Sequence, residues 1–273
     1  MLFRSATVPS DTGIVELPIS QLIPERPFPE NEWCKLLRVR SKLLSDFHKR
    51  DVFVQASVLL PASYHKQPNK KFPVLFTIPG FGGTHFEGVR NQPISEQNEG
   101  GVEFIRLMLD PSCPLGHHVF ADSANNGPWG TALVQEFIPE LDKAFRTDAR
   151  PAARFLTGHS SGGWSSLWVM ISHPDDFAGT WSTSPDPVTF EDFQFIDLYA
   201  PGENMYVDRK GDRRPIARRG QQVMLWYRDF DVMEEALGTG GQLRSFEAVF
   251  SPRGSDGKAI RIWNRQTGVV NTE

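Results

Sequence analysis

Cysteine is nearly absent from this chain of 273 residues: Cys34 and Cys113 are the two present. Two are too few for a disulfide framework, and the count does not say whether they pair or stay reduced. No Cys/His cluster has zinc spacing and no Asp-rich loop matches a calcium site, so no metal is expected. No cofactor is expected either: the one Gly-rich loop, Gly80-x-Gly82-Gly83, lacks the GxGxxG spacing, and no Walker Lys-Ser/Thr follows it. Positive charge is not in excess. Lys and Arg number 29 against 33 Asp and Glu, for a net charge of −4. Such a balance argues against nucleic acid or an anionic membrane as the main partner, while leaving room for a local basic patch. No apolar run approaches the roughly 18–20 residues a membrane-spanning helix needs. The first thirty residues lack the apolar block of a secretory signal, so the chain as written has no export address and its compartment stays open. Internal repeats and low-complexity tracts are also missing.

What is present is a rhythm. The segment from Thr7 to Glu32 holds five prolines and reads as part of an extended arm spanning residues 1–32. Residues 33–273 follow as one unit. Leu36–Arg40 and Val52–Leu60 are Val- and Leu-rich strand candidates, with two helical turns expected between them at Lys42–His48. Phe72–Ile78 is a buried-strand run stopped by Pro79-Gly80. The apolar spacing from Gly101 to Leu109 suits a helix, and His118–Ala121 reads as a short strand. Thr131–Phe145 carries a helical stripe interrupted by Pro139, which should kink it. Arg154–Thr157, Gly162–Ser172 and Phe177–Thr183 read as strand, helix and strand. Strands alternating with helices imply an α/β fold with a mostly parallel sheet and helices on both faces. Beyond Ser184 the rhythm fails, and 184–273 reads as an irregular insertion or an incomplete C-terminal part. Val223–Tyr227 fits strand or helix, and Pro252–Gly257 is a hairpin turn signal between Phe246–Phe250 and Lys258–Trp263.

One motif carries chemistry. Gly158-His-Ser160-Ser-Gly162 has the G-x-S-x-G spacing, which arises by chance in roughly one chain of this length in ten. Its setting is more specific than its spacing, because an apolar strand runs into it and an apolar helix runs out of it. A serine at the tip of a sharp strand-to-helix turn is strained, and side chains two residues either side would collide, so both places are glycine. The Ser161 N–H at the start of the helix would then sit beside the reacting carbon, able to donate to a developing oxyanion. After the earlier strand, Ile78-Pro-Gly-Phe-Gly-Gly83 offers a second donor, the N–H of Phe81 or, less well, of Gly82.

These residues resemble the esterases of the α/β-hydrolase fold, and within them the enterochelin-esterase-like and feruloyl-esterase-like group. The resemblance rests on Ile78–Thr84, on Trp129-Gly-Thr-Ala-Leu-Val-Gln-Glu-Phe-Ile-Pro-Glu140 and on Leu156–Trp164, and covers roughly residues 50 to 190. It implies a serine esterase in which Ser160 is acylated by a small-molecule or glycan ester, with Ser161 and Phe81 as oxyanion donors. Pro79 stands where many relatives carry His before the Gly. Trp129, Trp164 and Trp181 lie near inferred strand ends, where they fit either the rim of an acyl pocket or ordinary core and surface positions.

A base is hard to find. In this fold the chain order is Ser, acid, His. The chain has seven histidines, and His173, the only one after Ser160, falls near the far end of the helix that the serine turn begins. About 13 residues of helix would carry it roughly 20 Å away. Asp229 or Asp231 would hold the acid position if Val223–Tyr227 were a core strand, and Asp186 is a third candidate. The expectation is a chain that stops before the last two core strands and hydrolyses esters weakly. A natural pseudo-enzyme and recruitment of His85 as base are the alternatives. The basic run from Asp208 to Arg219 reads as solvated surface.

Overall fold

The computed structural model describes residues 26–94 and 101–272, so most of the Pro-rich arm lies outside the described residues. Strand β1 (Cys34–Arg40) runs antiparallel to β2 (Phe53–Leu59). Helix α1 (Lys42–His48) links them, started by Ser41, whose Oγ accepts the Leu44 N–H at 3.0 Å, and ended by Lys49 at φ 56°. β3 (Val74–Ile78), β4 (Ile105–Leu109), β5 (Arg154–His159) and β6 (Gly179–Thr183) complete a six-stranded sheet in the order β1-β2-β4-β3-β5-β6. β2 meets β4 antiparallel; β4, β3, β5 and β6 are mutually parallel. This is the α/β architecture with a mostly parallel sheet that the strand–helix alternation implies, but among the described residues the helices pack on one face of the sheet and not, as expected, on both.

β4 corrects the sequence reading, which took 101–109 for a helix. The spacing of Val102, Ile105 and Leu109 is compatible with a helix, but Ile105, Leu107 and Leu109 also alternate with period two. All three are buried, and pairing beside β3 decides between the periods. Their neighbours in the core are Val74, Phe76 and Ile78 of β3, Leu156 of β5, and Leu133, Phe137, Ile138 and Leu141 from the helical layer.

That layer has the break expected from Pro139, in a specific form. Helix α2 (Trp129–Ala132) passes into a π-helical turn at Leu133–Phe137 and then into α3 (Ile138–Ala144). Proline offers no N–H to the preceding turn, and the wider π turn just ahead of it absorbs the missing bond. α4 (Ser161–Ser172) packs beside it against β3, β5 and β6. On the opposite face, the short turn His85–Gly88 covers Ser57 and Met108, while Leu75, Arg106, Phe155, Thr157 and Trp181 line an open groove of about 560 Å³.

Residues 190–272 build a second apolar cluster around Phe193, Met205, Tyr206, Tyr227, Phe246 and Trp263. Its regular pieces are the hairpin of β7 (Pro215–Arg219) and β8 (Gln222–Trp226), then α5 (Tyr227–Leu237) and α6 (Gln242–Phe250). The ambiguous run at 223–227 is thus a strand that turns into a helix, outside the main sheet. The turn signal at 252–257 does form a turn, with Gly254 N–H donating to Lys258 O at 2.8 Å, but the segment leading into it is helix α6 rather than a strand. The basic run is not all surface: Arg214 is mostly buried and pairs with Glu203 at 3.1 Å.

Candidate active site

β5 ends at His159 and α4 begins at Ser161, leaving Ser160 alone between them at φ 57°, ψ −126°. A non-glycine residue holds such a backbone only where its surroundings impose it. Here the imposition is visible from both sides. The Ser160 N–H donates to Thr183 O at 3.1 Å, and Ser160 O accepts the Trp164 N–H at 3.0 Å to begin the helix. A Cβ on Gly158 would lie 2.1 Å from Gly162 O, and one on Gly162 would lie 2.0 Å from Ile78 O. The two glycines are required because β3, β5 and α4 converge to backbone contact at this point.

The loop after β3 approaches from the other side. A Cβ on Gly80 would be 3.5 Å from the Ser160 Cβ, so the two turns touch. Gly83 N–H donates to Gly80 O at 3.0 Å, with Gly82 at φ 83°, which closes a tight turn whose third residue needs the left-handed region. This turn leaves the Phe81 N–H unused; among the described residues it has no acceptor. The Ser161 N–H, first in α4, has no partner within its helix. Among the described residues, then, two amides of the converging turns have no acceptor, one of them at a helix N-terminus.

The Ser160 hydroxyl donates to Asp186 Oδ1 at 3.4 Å, and the Ser161 hydroxyl donates to Asp186 Oδ2 at 2.5 Å. Asp186 reaches this place from the segment after β6. Burial pushes its carboxyl above the ordinary carboxylate range, and the two serine hydroxyls oppose that push. Among the described residues no imidazole hydrogen-bonds the Ser160 hydroxyl.

Of the residues singled out from sequence, the fold joins Ser160 and Ser161 to Asp186, and the loop that carries Phe81 and Gly82 meets the serine turn at Gly80. It does not bring Asp229, which lies exposed on α5 and pairs with Arg213 at 2.8 Å. The strand before it, β8, pairs with β7 outside the main sheet, so Asp229 does not follow a core strand. Asp231 lies on the same helix, buried within the C-terminal cluster. Trp129 is also elsewhere: it is buried at the start of α2, donates its indole N–H to Asn126 O at 2.9 Å and stacks on His118 with centroids 3.7 Å apart. Trp181 is 60% exposed in the groove on the open face of the sheet, among residues that include none of the site. Trp164 packs with Val119, Ala121 and Val249. His173 caps the far end of α4 near Gly130. His85 is committed to Asp110, with Nδ1 2.6 Å from Oδ2 and both side chains buried. Asp110 shows how such a carboxylate stays charged: burial raises its pKa, but hydrogen bonds from His85, Ser112 and Gln55 outweigh burial and leave it at about 2.

The sequence profile of a family described as "Putative esterase" matches residues 53–236. The chain belongs to that family. The matched span holds both the oxyanion-loop candidate and the serine turn. Among solved structures, the chain is similar to a ferulic acid esterase (20% identity, TM-score 0.45), covering 56% of this chain and 61% of that one. It is also similar to the fluorophosphonate-binding serine hydrolase F of Staphylococcus aureus (16% identity, TM-score 0.46), covering 58% of this chain and 59% of the other. A ferulic acid esterase of the anaerobic fungus Anaeromyces mucronatus matches at 20% identity and TM-score 0.44, over 63% of this chain and 68% of that one. The chain thus spans 61% and 59% of the length of the first two of these structures.

The run 118–121, just after His117, predicts a strand, whereas Val119 and Phe120 form a turn with φ of 48° and 51°. A β-branched residue followed by an aromatic one carries a strand signal, and only packing overrides it here.

Proposed function

We propose that this protein is a serine ester hydrolase that works through an acyl-enzyme. Ser160 Oγ attacks the carbonyl carbon of a carboxylic ester, the Ser161 and Phe81 N–H groups hold the oxyanion, the alcohol departs, and water releases the acyl group. The observation that carries the reading is the strained backbone of Ser160 beside two amides that have no acceptor among the described residues. Family membership supports it. Gly82 supplies the turn that frees the Phe81 N–H, and Asp186 is the acid candidate that geometry favours over Asp229. A small-molecule or glycan ester fits this chemistry, and no cofactor or metal enters it.

The test is labelling by an organophosphonate probe. Wild type should be modified at Ser160, identified by peptide mass spectrometry, and Ser160→Ala should abolish the label. Labelling that survives the substitution overturns the reading. With Asp186 alone beside the hydroxyl, hydrolysis of p-nitrophenyl acetate should be slow, near the modest residual acceleration of an oxyanion hole without its base.

The absence of an imidazole on Ser160 among the described residues favours one other reading, a binding module on the same scaffold. It is distinguished by retention of an ester ligand with neither labelling nor turnover.

A further inference from the structure

Val119 and Phe120 hold positive φ one after the other, and the imidazoles just before them stabilise that turn. The Val119 N–H donates to His117 Nδ1 and the Phe120 N–H donates to His118 Nδ1, each at 3.1 Å. A ring that accepts at Nδ1 carries its proton on Nε2 when neutral. For His117 that Nε2–H points at a specific acceptor, the Pro79 carbonyl, at 3.0 Å. His118 lies flat on Trp129, which fixes the second ring. Val119 and Ala121 pack in one cluster with Trp164 of α4 and Val249 of α6. The turn is therefore braced between the serine helix and the C-terminal region.

Pro79 is the last residue before the oxyanion loop. Two peptide planes lead from it to the Phe81 N–H. The second, Gly80–Phe81, is held by the Gly83 N–H on Gly80 O. The first, Pro79–Gly80, has its carbonyl held by His117, while the Gly80 N–H has no acceptor among the described residues. The same carbonyl lies close to Gly162: a Cβ there would be 2.7 Å from Pro79 O, next after Ile78 O at 2.0 Å. His117 thus grips the loop one residue past its tightest contact with the serine turn.

We propose that His117 is a positioning residue of the acyl-transfer site: its imidazole ties the strained Val119–Phe120 turn to the Pro79 carbonyl and so sets the orientation of the Phe81 N–H toward the oxyanion. This rests on the serine-hydrolase reading above. His117 touches no reacting atom; it acts through the peptide plane. The ionisable groups acting on it are Asp110 and His118. Burial holds the ring neutral, pushing its pKa down to about 4, which keeps the Nδ1 lone pair available to Val119 at neutral pH.

The experiment measures the organophosphonate labelling rate of the full chain against probe concentration. His117→Phe removes both hydrogen bonds; His117→Gln keeps an amide that donates and an oxygen that accepts. His117→Phe should lower the saturating rate about a hundredfold, the size of losing one oxyanion donor, with little change in half-saturating concentration. His117→Gln should recover at least a tenth of the wild-type rate. A folded His117→Phe that labels at the wild-type rate overturns the role of His117 and leaves the serine reading intact. A wild-type chain that takes up no probe overturns both. If His117→Phe does not fold, histidine ¹H–¹⁵N spectra of the wild type decide: a neutral ring protonated at Nε2 at pH 7 supports the brace, and the Nδ1 tautomer or a charged ring overturns it.

Discussion

The sheet around Phe76 and the cluster around Trp263 both bury large aromatic side chains, yet they satisfy their polar groups by opposite means. Around the sheet the core cluster itself is apolar and the backbone finds its partners in strand ladders, while buried polar side chains such as the His85–Asp110 pair stand outside that cluster. The C-terminal cluster has only one short hairpin and two helices. It places charge inside instead. Asp231 accepts from the indole N–H of Trp263 at 2.9 Å and from the Tyr206 hydroxyl, and it lies 3.5 Å from Arg265. Arg265 in turn pairs with Glu247 at 2.5 Å, both side chains buried. Buried charges cost more to desolvate than they return unless each is partnered, so this half of the molecule depends on a few specific pairs where the other depends on many interchangeable contacts. The candidate site lies where the sheet region departs from its own rule, at the strained Ser160 turn and the Val119–Phe120 turn braced beside it.

The largest effect should come from the point where the sheet region admits no side chain. Gly162→Val puts a Cβ at 2.0 Å from the Ile78 carbonyl with further atoms behind it, and backbone there cannot yield without breaking β3 from α4. The variant should give no cooperatively folded protein by circular dichroism. If it folds and melts within a few degrees of wild type, the close convergence described for the serine turn is wrong.

Asp231→Asn should come next. Removing one partner from a buried ionic network leaves Arg265 short of its counter-charge, at a cost of about 3 kcal/mol. Hydrogen exchange should speed up within residues 190–272 while β3 and β5 amides keep their protection. Equal loss in both regions would show one cooperative unit and dissolve the distinction between them.

Mild acid should separate the regions with opposite signs. Burial lowers His117 to about 4 and His118 well below its ordinary value, so between about pH 6.5 and 4 the unfolded chain binds more protons and the sheet region loses stability as pH falls. For His117 alone the loss is about 3 kcal/mol, complete near pH 4. In the C-terminal cluster, burial raises Glu234 and Glu247. There the folded form binds more protons just above the ordinary carboxylate range, and that contribution grows as pH falls through it. Exchange protection followed from pH 7 to 4.5 should fall in the sheet and hold or rise for amides of α5 and α6. Protection that falls in parallel in both would refute the assignment of neutral buried histidines and raised glutamates.

Much of this molecule was readable from local pattern. Lys42–His48, the Val74–Ile78 run, the break at Pro139 and the strand–Ser160–helix junction each carry their cause within a few residues: a cap, a continuous apolar run, a missing N–H, a pair of glycines. The errors fall where local pattern supports two structures. Ile105–Leu109 satisfies both periods until β3 lies beside it, and Val223–Trp226 becomes a strand only because Pro215–Arg219 pairs with it. Residues 190–272 carry no such rhythm, because their apolar cluster and its ion pairs join residues far apart in sequence, which leaves no periodic trace.

The sequence alone determined the α/β class and the identity of the nucleophile candidate, since strand–helix alternation and glycine spacing are local consequences of backbone sterics. Only the tertiary structure decided that Asp186 rather than Asp229 stands beside Ser160, that Trp129 and Trp181 lie away from it, and that His117 grips the loop after β3. Those are matters of which distant segments meet. Such meetings depend on packing a whole core, and no stretch of chain encodes them by itself.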